Sequence, residues 1–162
     1  LVHYPAIDNH AIQHFRQRHD PQYNLIAPHI TLLFPVPDRL GEQALDGHIQ
    51  QVLRGWQPFE IGLQGVQLST DQYIYLLVQA GREPLLRLHD EIYTGVVREY
   101  LRADLPYIPH VTLGLADQAQ YILDEAMQLG IQARCRLDNL HLVKVNNERT
   151  KIVSSRVFSL AR

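Results

Sequence analysis

Five residues, PHITL at 28–32, recur as PHVTL at 109–113, about half a chain apart. Histidine and proline each supply only nine of the 162 residues, so this adjacent pair, followed twice by the same apolar-Thr-Leu pattern, is not a chance event. A fold for this chain has to build one strand twice, and the flanking residues extend the repeat well beyond the strand.

By hydrophobic period, a short strand over 1–7 precedes a first half, about 8–80. That half holds a helix at 8–19, a strand at 28–34, a helix at 40–56 and strands at 59–68 and 73–79. The second half, about 83–162, holds a helix at 83–101, a strand at 109–115, a helix at 117–129 and strands at 133–145 and 151–160. Asp8 or Asn9 is the expected cap of the first helix, Asp20-Pro21 ends it, and Gly130 stops the last one. Leu85, Leu88, Ile92, Val96 and Tyr100 line one face of the 83–101 helix. In the strand at 59–68 the alternation Phe59, Ile61, Leu63 skips a residue and resumes at Val66 and Leu68. In its counterpart Ala133, Cys135, Leu137 skips likewise and resumes at Leu140 and Leu142, so both strands are expected to bend at the same place. No linker or low-complexity segment separates the halves. Residues 1–162 are therefore expected to form one bilobal domain, made by internal duplication.

In a strand, side chains at i and i+2 share a face. His29 and Thr31 then point one way and Ile30 and Leu32 the other, as do His110 and Thr112 against Val111 and Leu113. Each motif presents an imidazole and a hydroxyl on one surface and anchors itself by the opposite one. Pro28 and Pro109 stand at the strand starts, where a missing N–H is tolerated. Gly114, two residues past Thr112, extends the polar face without a side chain and is expected to leave room for a ligand.

If a pseudo-twofold axis relates the halves, the two polar faces confront one another across a cleft and two histidines flank one small group. In-line displacement at phosphorus needs that arrangement. One neutral imidazole takes a proton from the attacking oxygen while the other, protonated, gives one to the leaving oxygen. Both forms of histidine are available near neutrality. Threonine hydroxyls can hold the non-bridging oxygens, and no metal or other cofactor is required.

His-apolar-Thr-apolar written twice, some 80 residues apart, resembles the 2H phosphoesterase superfamily, in particular its 2′-5′ RNA ligase-like branch of RNA 2′,3′-cyclic phosphodiesterases. The resemblance covers the whole chain in element order, with PHITLLFP and PHVTLGL as its specific part. It implies a bilobal α+β fold, with two antiparallel sheets lining a central groove and helices outside. It also implies metal-independent hydrolysis of 2′,3′-cyclic phosphodiesters at RNA or nucleotide ends, and in some members the reverse 2′-5′ ligation. By position the catalytic histidines map to His29 and His110, and the phosphate-contacting hydroxyls to Thr31 and Thr112. Some members carry a basic residue three positions after the second threonine. Here that position is Leu115, so phosphate charge has to be neutralised from elsewhere or by the protonated histidine alone.

Tyr73 and Tyr75 share one strand face and are candidates to stack a base, with sheet packing as the alternative. Lys144, Arg149 and Lys151 surround the NNERTK turn and are candidates for the missing positive charge, Lys151 foremost; a solvated hairpin is the alternative. His10 and His14 have metal-ligand spacing but no HExxH glutamate and no evident third ligand, which favours a solvated helix face. Cys135 is the only cysteine, which excludes an intrachain disulfide and a cysteine-based zinc site and favours a reducing compartment, the cytoplasm. No apolar run approaches the ~20 residues of a membrane span. A formal net charge of −2 disfavours tracking along a phosphate backbone, so a nucleic-acid partner is expected to be held at one end. Expected partners are RNA 2′,3′-cyclic phosphate ends or small cyclic nucleotides, with no obligate protein partner. A non-catalytic module that binds RNA ends or nucleotides and a zinc hydrolase remain the competing readings.

Overall fold

A computed structural model describes residues 1–8 and 10–161, so Asn9 lies outside the described residues as a cap candidate. The elements run β1 (Val2–His3), α1 (His10–His19), β2 (Ile30–Thr31), α2 (Glu42–Leu53), β3 (Phe59–Leu68), β4 (Tyr73–Ala80), α3 (Arg82–Ile92), β5 (His110–Leu115), α4 (Gln120–Gln128), β6 (Gln132–Leu137), β7 (Asn139–Val145) and β8 (Ile152–Ser159). The fold is α+β, and the Asp8 side chain accepts a hydrogen bond from the His10 N–H at the start of α1.

Two separate sheets are not what the chain builds. The strands form a single eight-stranded sheet in the order β6-β3-β4-β5-β2-β1-β7-β8, with every pair antiparallel. The Ile30–Val111 pairing joins β2 to β5 and fuses what would otherwise be two four-stranded sheets. Strand order is symmetric about that junction. β1 lies beside β2 as β4 lies beside β5, and β7 lies beyond β1 as β3 lies beyond β4.

Residues 133–145 are two strands, broken at Asp138. β6 pairs with β3 at one edge, whereas β7 is the seventh strand and pairs with β1 and β8. In a flat sheet six strand spacings would hold them about 29 Å apart, and one residue spans only about 3.5 Å, so the sheet has to curl. The Asp138 carbonyl accepts from the Leu160 N–H and the Trp56 carbonyl from the Ala161 N–H, which draws the end of β8 back toward β3. The expected irregularities therefore coincide in place but differ in kind. β3 carries a bulge around Gly65, with φ of 84°, and its counterpart a change of partner.

The 83–101 helix ends at Ile92. Gly95 takes a positive φ of 52° against the His48 ring, and a 3-10 turn follows over Gly95–Tyr100. That shift of phase exposes Val96 and buries Val97 instead. One apolar core gathers the helix-facing side of the sheet, including Ile30, Ile74, Leu76, Val78, Val111 and Leu113, against Ile12 and Phe15 of α1, Ile49 of α2 and Leu85 and Leu88 of α3. The other side of the same strands is left half-buried and polar.

Candidate active site

The register of β2 against β5 decides what the repeated motif does. Because Ile30 pairs with Val111, the antiparallel rule sets His29 opposite Thr112 and Thr31 opposite His110. Both motifs stand side by side at the centre of one sheet, on one face, rather than confronting each other from two sheets. Directly opposed side chains lie about 5 Å apart at Cβ, and the two histidines, on the diagonal, roughly 7 Å. Such a square of two imidazoles and two hydroxyls is of a size to surround one tetrahedral group. All four side chains line a single cavity of about 750 Å³.

Both rings are held in the same way. Nδ1 of His29 lies 2.8 Å from the Ala27 carbonyl, and Nδ1 of His110 lies 2.5 Å from the Ile108 carbonyl. A carbonyl only accepts, so each Nδ1 carries the proton and donates, and in the neutral ring Nε2 is left with its lone pair. The prolines contribute here, since a proline biases the residue before it, Ala27 or Ile108, away from helical backbone. Burial depresses the affinity of His29 for a proton; the Arg16 charge adds to this, and the Ala27 carbonyl opposes it. His110 is depressed by burial first and by the charge of His29, against the Ile108 carbonyl and Asp71. Both rings are therefore biased toward the uncharged form near neutral pH.

Tyr73 and Tyr75 line the cavity. Tyr75 lies on the His110 ring, 3.5 Å between centroids at 19°, so one face of its ring packs an imidazole. Gly114 does not line the cavity. A bulge between Tyr75–Thr112 and Ile74–Gly114 reverses the alternation of β5, and the bare face of Gly114 meets α1, where an added Cβ would lie 2.9 Å from the His19 carbonyl oxygen. Lys151 is likewise outside the cavity wall: it is exposed in the β7–β8 hairpin, where its N–H donates to Asn146 Oδ1. His10 and His14 are exposed, and no group of three or more His, Cys, Asp or Glu side chains with metal-site geometry occurs among the described residues.

Three features of the site carried no local sequence signal. The Tyr107 hydroxyl donates to the Thr31 carbonyl at 2.8 Å, its ring stacks on His89, and burial pushes its ionisation far up. Asp71 lines the cavity next to Tyr73 and accepts from the Ser69 hydroxyl. Arg16 and Asp20, side chains only 1% and 2% exposed, form an ion pair at 2.7 Å. The guanidinium also donates to the Ile26 carbonyl at 2.8 Å, and Asp20 accepts from the Gln22 N–H. This pair fastens the end of α1 to the 20–27 loop, whose last carbonyl holds His29.

Of the cations lining the cavity, Lys144 is bound to Asp38 and Glu42, and Arg156 to Glu42 and Asp46. These pairs clasp the start of α2 to β7 and β8.

Residues 4–149, most of the chain, match the 2′-5′ RNA ligase superfamily. The chain belongs to that superfamily. Its relatives include a "Putative phosphoesterase" of Bacillus licheniformis, 28% identical over 104 residues that cover 61% of this chain and 59% of the relative. The chain thus spans less than two thirds of that relative's length. Another relative of the same name, from Geobacillus sp. (strain WCH70), is 26% identical over 136 residues, 78% of this chain and 70% of the relative. Two crystal structures of E. coli LigT share the fold at a TM-score of 0.54. The one complexed with 3′-AMP is 17% identical and aligns over 93% of this chain and 89% of LigT. The one complexed with NADP+ is 18% identical and aligns over 99% and 92%. Both the repeated motif and the fold thus support membership of the 2H phosphoesterases.

Proposed function

We propose that the chain is a phosphodiesterase that opens 2′,3′-cyclic phosphate ends of RNA or nucleotides by paired-histidine acid–base catalysis. What carries the reading is the register that brings two imidazoles, each with Nδ1–H tied to a carbonyl, to the floor of one cavity with two threonine hydroxyls between them.

The cyclic phosphodiester sits between the rings, its non-bridging oxygens on Thr31 and Thr112. One neutral Nε2 takes a proton from water as the water oxygen bonds to phosphorus. The P–O3′ bond breaks on the opposite side, and the other ring, protonated at Nε2, gives its proton to O3′, leaving a 2′-phosphate. The second ring takes its proton from solvent as the phosphate binds. The phosphate's negative charge opposes the depression that burial imposes on both histidines, so binding takes up a proton.

Incubation with 2′,3′-cyclic mononucleotides and cyclic-ended oligonucleotides, with EDTA present, tests the proposal by product release and by the position of the product phosphate. Turnover to 2′-phosphates is expected, with kcat lowered about 10²–10⁴-fold by His29→Ala or His110→Ala and less by the threonine variants. Cyclic ends bound but not consumed would identify a binding module instead, and histidine variants that keep turnover would reject the mechanism.

A further inference from the structure

Arg149 lines the same cavity and, unlike Lys144 and Arg156, makes no ion pair with a carboxylate among the described residues. Its hairpin is built around one side chain. Asn146 Oδ1 accepts from the N–H groups of Thr150 and Lys151 at 2.8 and 2.9 Å, and Asn146 Nδ2 donates to the Thr150 hydroxyl. The Arg149 N–H donates to the Asn146 carbonyl, and Arg149 takes a φ of 54°, which non-glycine residues adopt at some cost. Thr150 lines the cavity beside it.

Register fixes how far this cation stands from the histidines. Val2 pairs with both Thr31 and His141, so His141 is level with the motif threonine. The hairpin begins five residues later at Asn146, about 17 Å along β7. Even an extended arginine side chain does not carry the guanidinium back to a phosphorus between His29 and His110. A ligand held at the histidines could reach it only with another of its parts.

We infer that Arg149, with Thr150, is a subsite for a second phosphate, on the 5′ side of the cyclic one, and that the natural substrate carries that phosphate. This rests on the proposed phosphodiesterase reading, because only a ligand held at the histidines brings a second phosphate to the hairpin. A 2′,3′-cyclic phosphate closes the 3′ end, so any further phosphate lies 5′ of it, either as a 5′-terminal group or as an internucleotide linkage. The chemistry at Arg149 is the same for both: a guanidinium donating to anionic oxygens.

The test compares a cyclic mononucleotide without a 5′-phosphate, the same nucleotide with one, and cyclic-ended di- and trinucleotides. The readout is the KM ratio between substrates with one phosphate and with two or more. In the wild type at least one multiply phosphorylated substrate is expected to bind about tenfold tighter. Arg149→Ala is expected to abolish that ratio and to lower the salt dependence of binding by about one counterion; Arg149→Lys keeps part of the ratio. Arg149→Asn, which tolerates the left-handed backbone, separates loss of charge from loss of the hairpin and is expected to behave like Arg149→Ala. Lys151→Ala removes a charge from the same hairpin outside the cavity and is expected to leave the ratio intact. Which arm shows the preference, 5′-phosphate or oligonucleotide, identifies the source of the phosphate. A ratio of one in the wild type, or one unchanged in both Arg149→Ala and Arg149→Asn, overturns the subsite. Calorimetric binding of adenosine 2′-phosphate against adenosine 2′,5′-bisphosphate measures the same preference without turnover. A tenfold preference lost in the Arg149 variants upholds the subsite even if no cyclic substrate is hydrolysed. Equal affinities here, together with no preference for a dinucleotide 2′-phosphate over adenosine 2′-phosphate, overturn it even if hydrolysis proceeds.

Discussion

Gly114→Ala separates two roles for one residue. The backbone at Gly114 is not in the left-handed region, so the substitution acts through space alone. A Cβ there would lie 2.9 Å from both Cβ and the carbonyl oxygen of His19, and 3.1 Å from its carbonyl carbon. Two of these are backbone atoms at the end of α1 and cannot swing aside, so α1 has to move off β5 or the strand has to bend. Forced overpacking of this kind costs about 1–3 kcal/mol. For a chain of this size, each kcal/mol lowers Tm by about 2–4 °C, which makes the expected loss about 2–12 °C. Thermal unfolding followed by circular dichroism measures it. Steady-state kinetics on a cyclic nucleotide, run well below the transition, is expected to give a KM within about twofold of wild type. An unchanged Tm with a raised KM would mean that Gly114 faces the ligand, and would refute the reversal of β5 alternation at the bulge.

Two further outcomes are expected. Arg16→Leu leaves Asp20 buried without its partner and should cost about 3–5 kcal/mol in urea unfolding; because the pair fastens the loop that holds His29, kcat should fall at temperatures where the variant is folded, and a loss below about 1 kcal/mol would contradict the buried pair. His3, His29, His89 and His110 all hold protons less tightly in the folded state than the ordinary histidine value, burial being the first cause in each. Unfolded histidines therefore take up protons first as pH drops below about 6.5. Stability should accordingly be lost from there down through the lower folded values, and be fully present above. Urea midpoints that stay level or rise between pH 7.5 and 5.5 would contradict this.

The motif pair was legible because it is local: alternation alone puts His29 with Thr31 and His110 with Thr112 on one face, and the cavity holds all four. How the pairs meet was not legible, since the Ile30–Val111 pairing joins residues 81 positions apart and no local pattern encodes it. The break at Asp138 was read as a skipped residue, which it is, but a bulge and a change of partner leave the same mark on an alternating pattern. Gly114 was assigned to the ligand face because alternation was carried through a bulge that its own residues do not announce. The 83–101 helix was extended past Gly95 because Val96 and Tyr100 keep helical spacing; the positive φ at Gly95 rests on its packing against His48 in α2. Asp20 was read only as part of the Asp20-Pro21 helix break and Arg16 carried no signal at all; only the folded loop shows the two buried together.

Joint action of two imidazoles on one phosphorus is tested most directly by NMR, following the ring resonances of His29 and His110 during titration with a nucleoside 2′-phosphate. Both rings should shift along a single saturation curve, and at least one should gain proton affinity on binding. Response of one ring alone, or of the two with different affinities, would mean that they do not share a ligand.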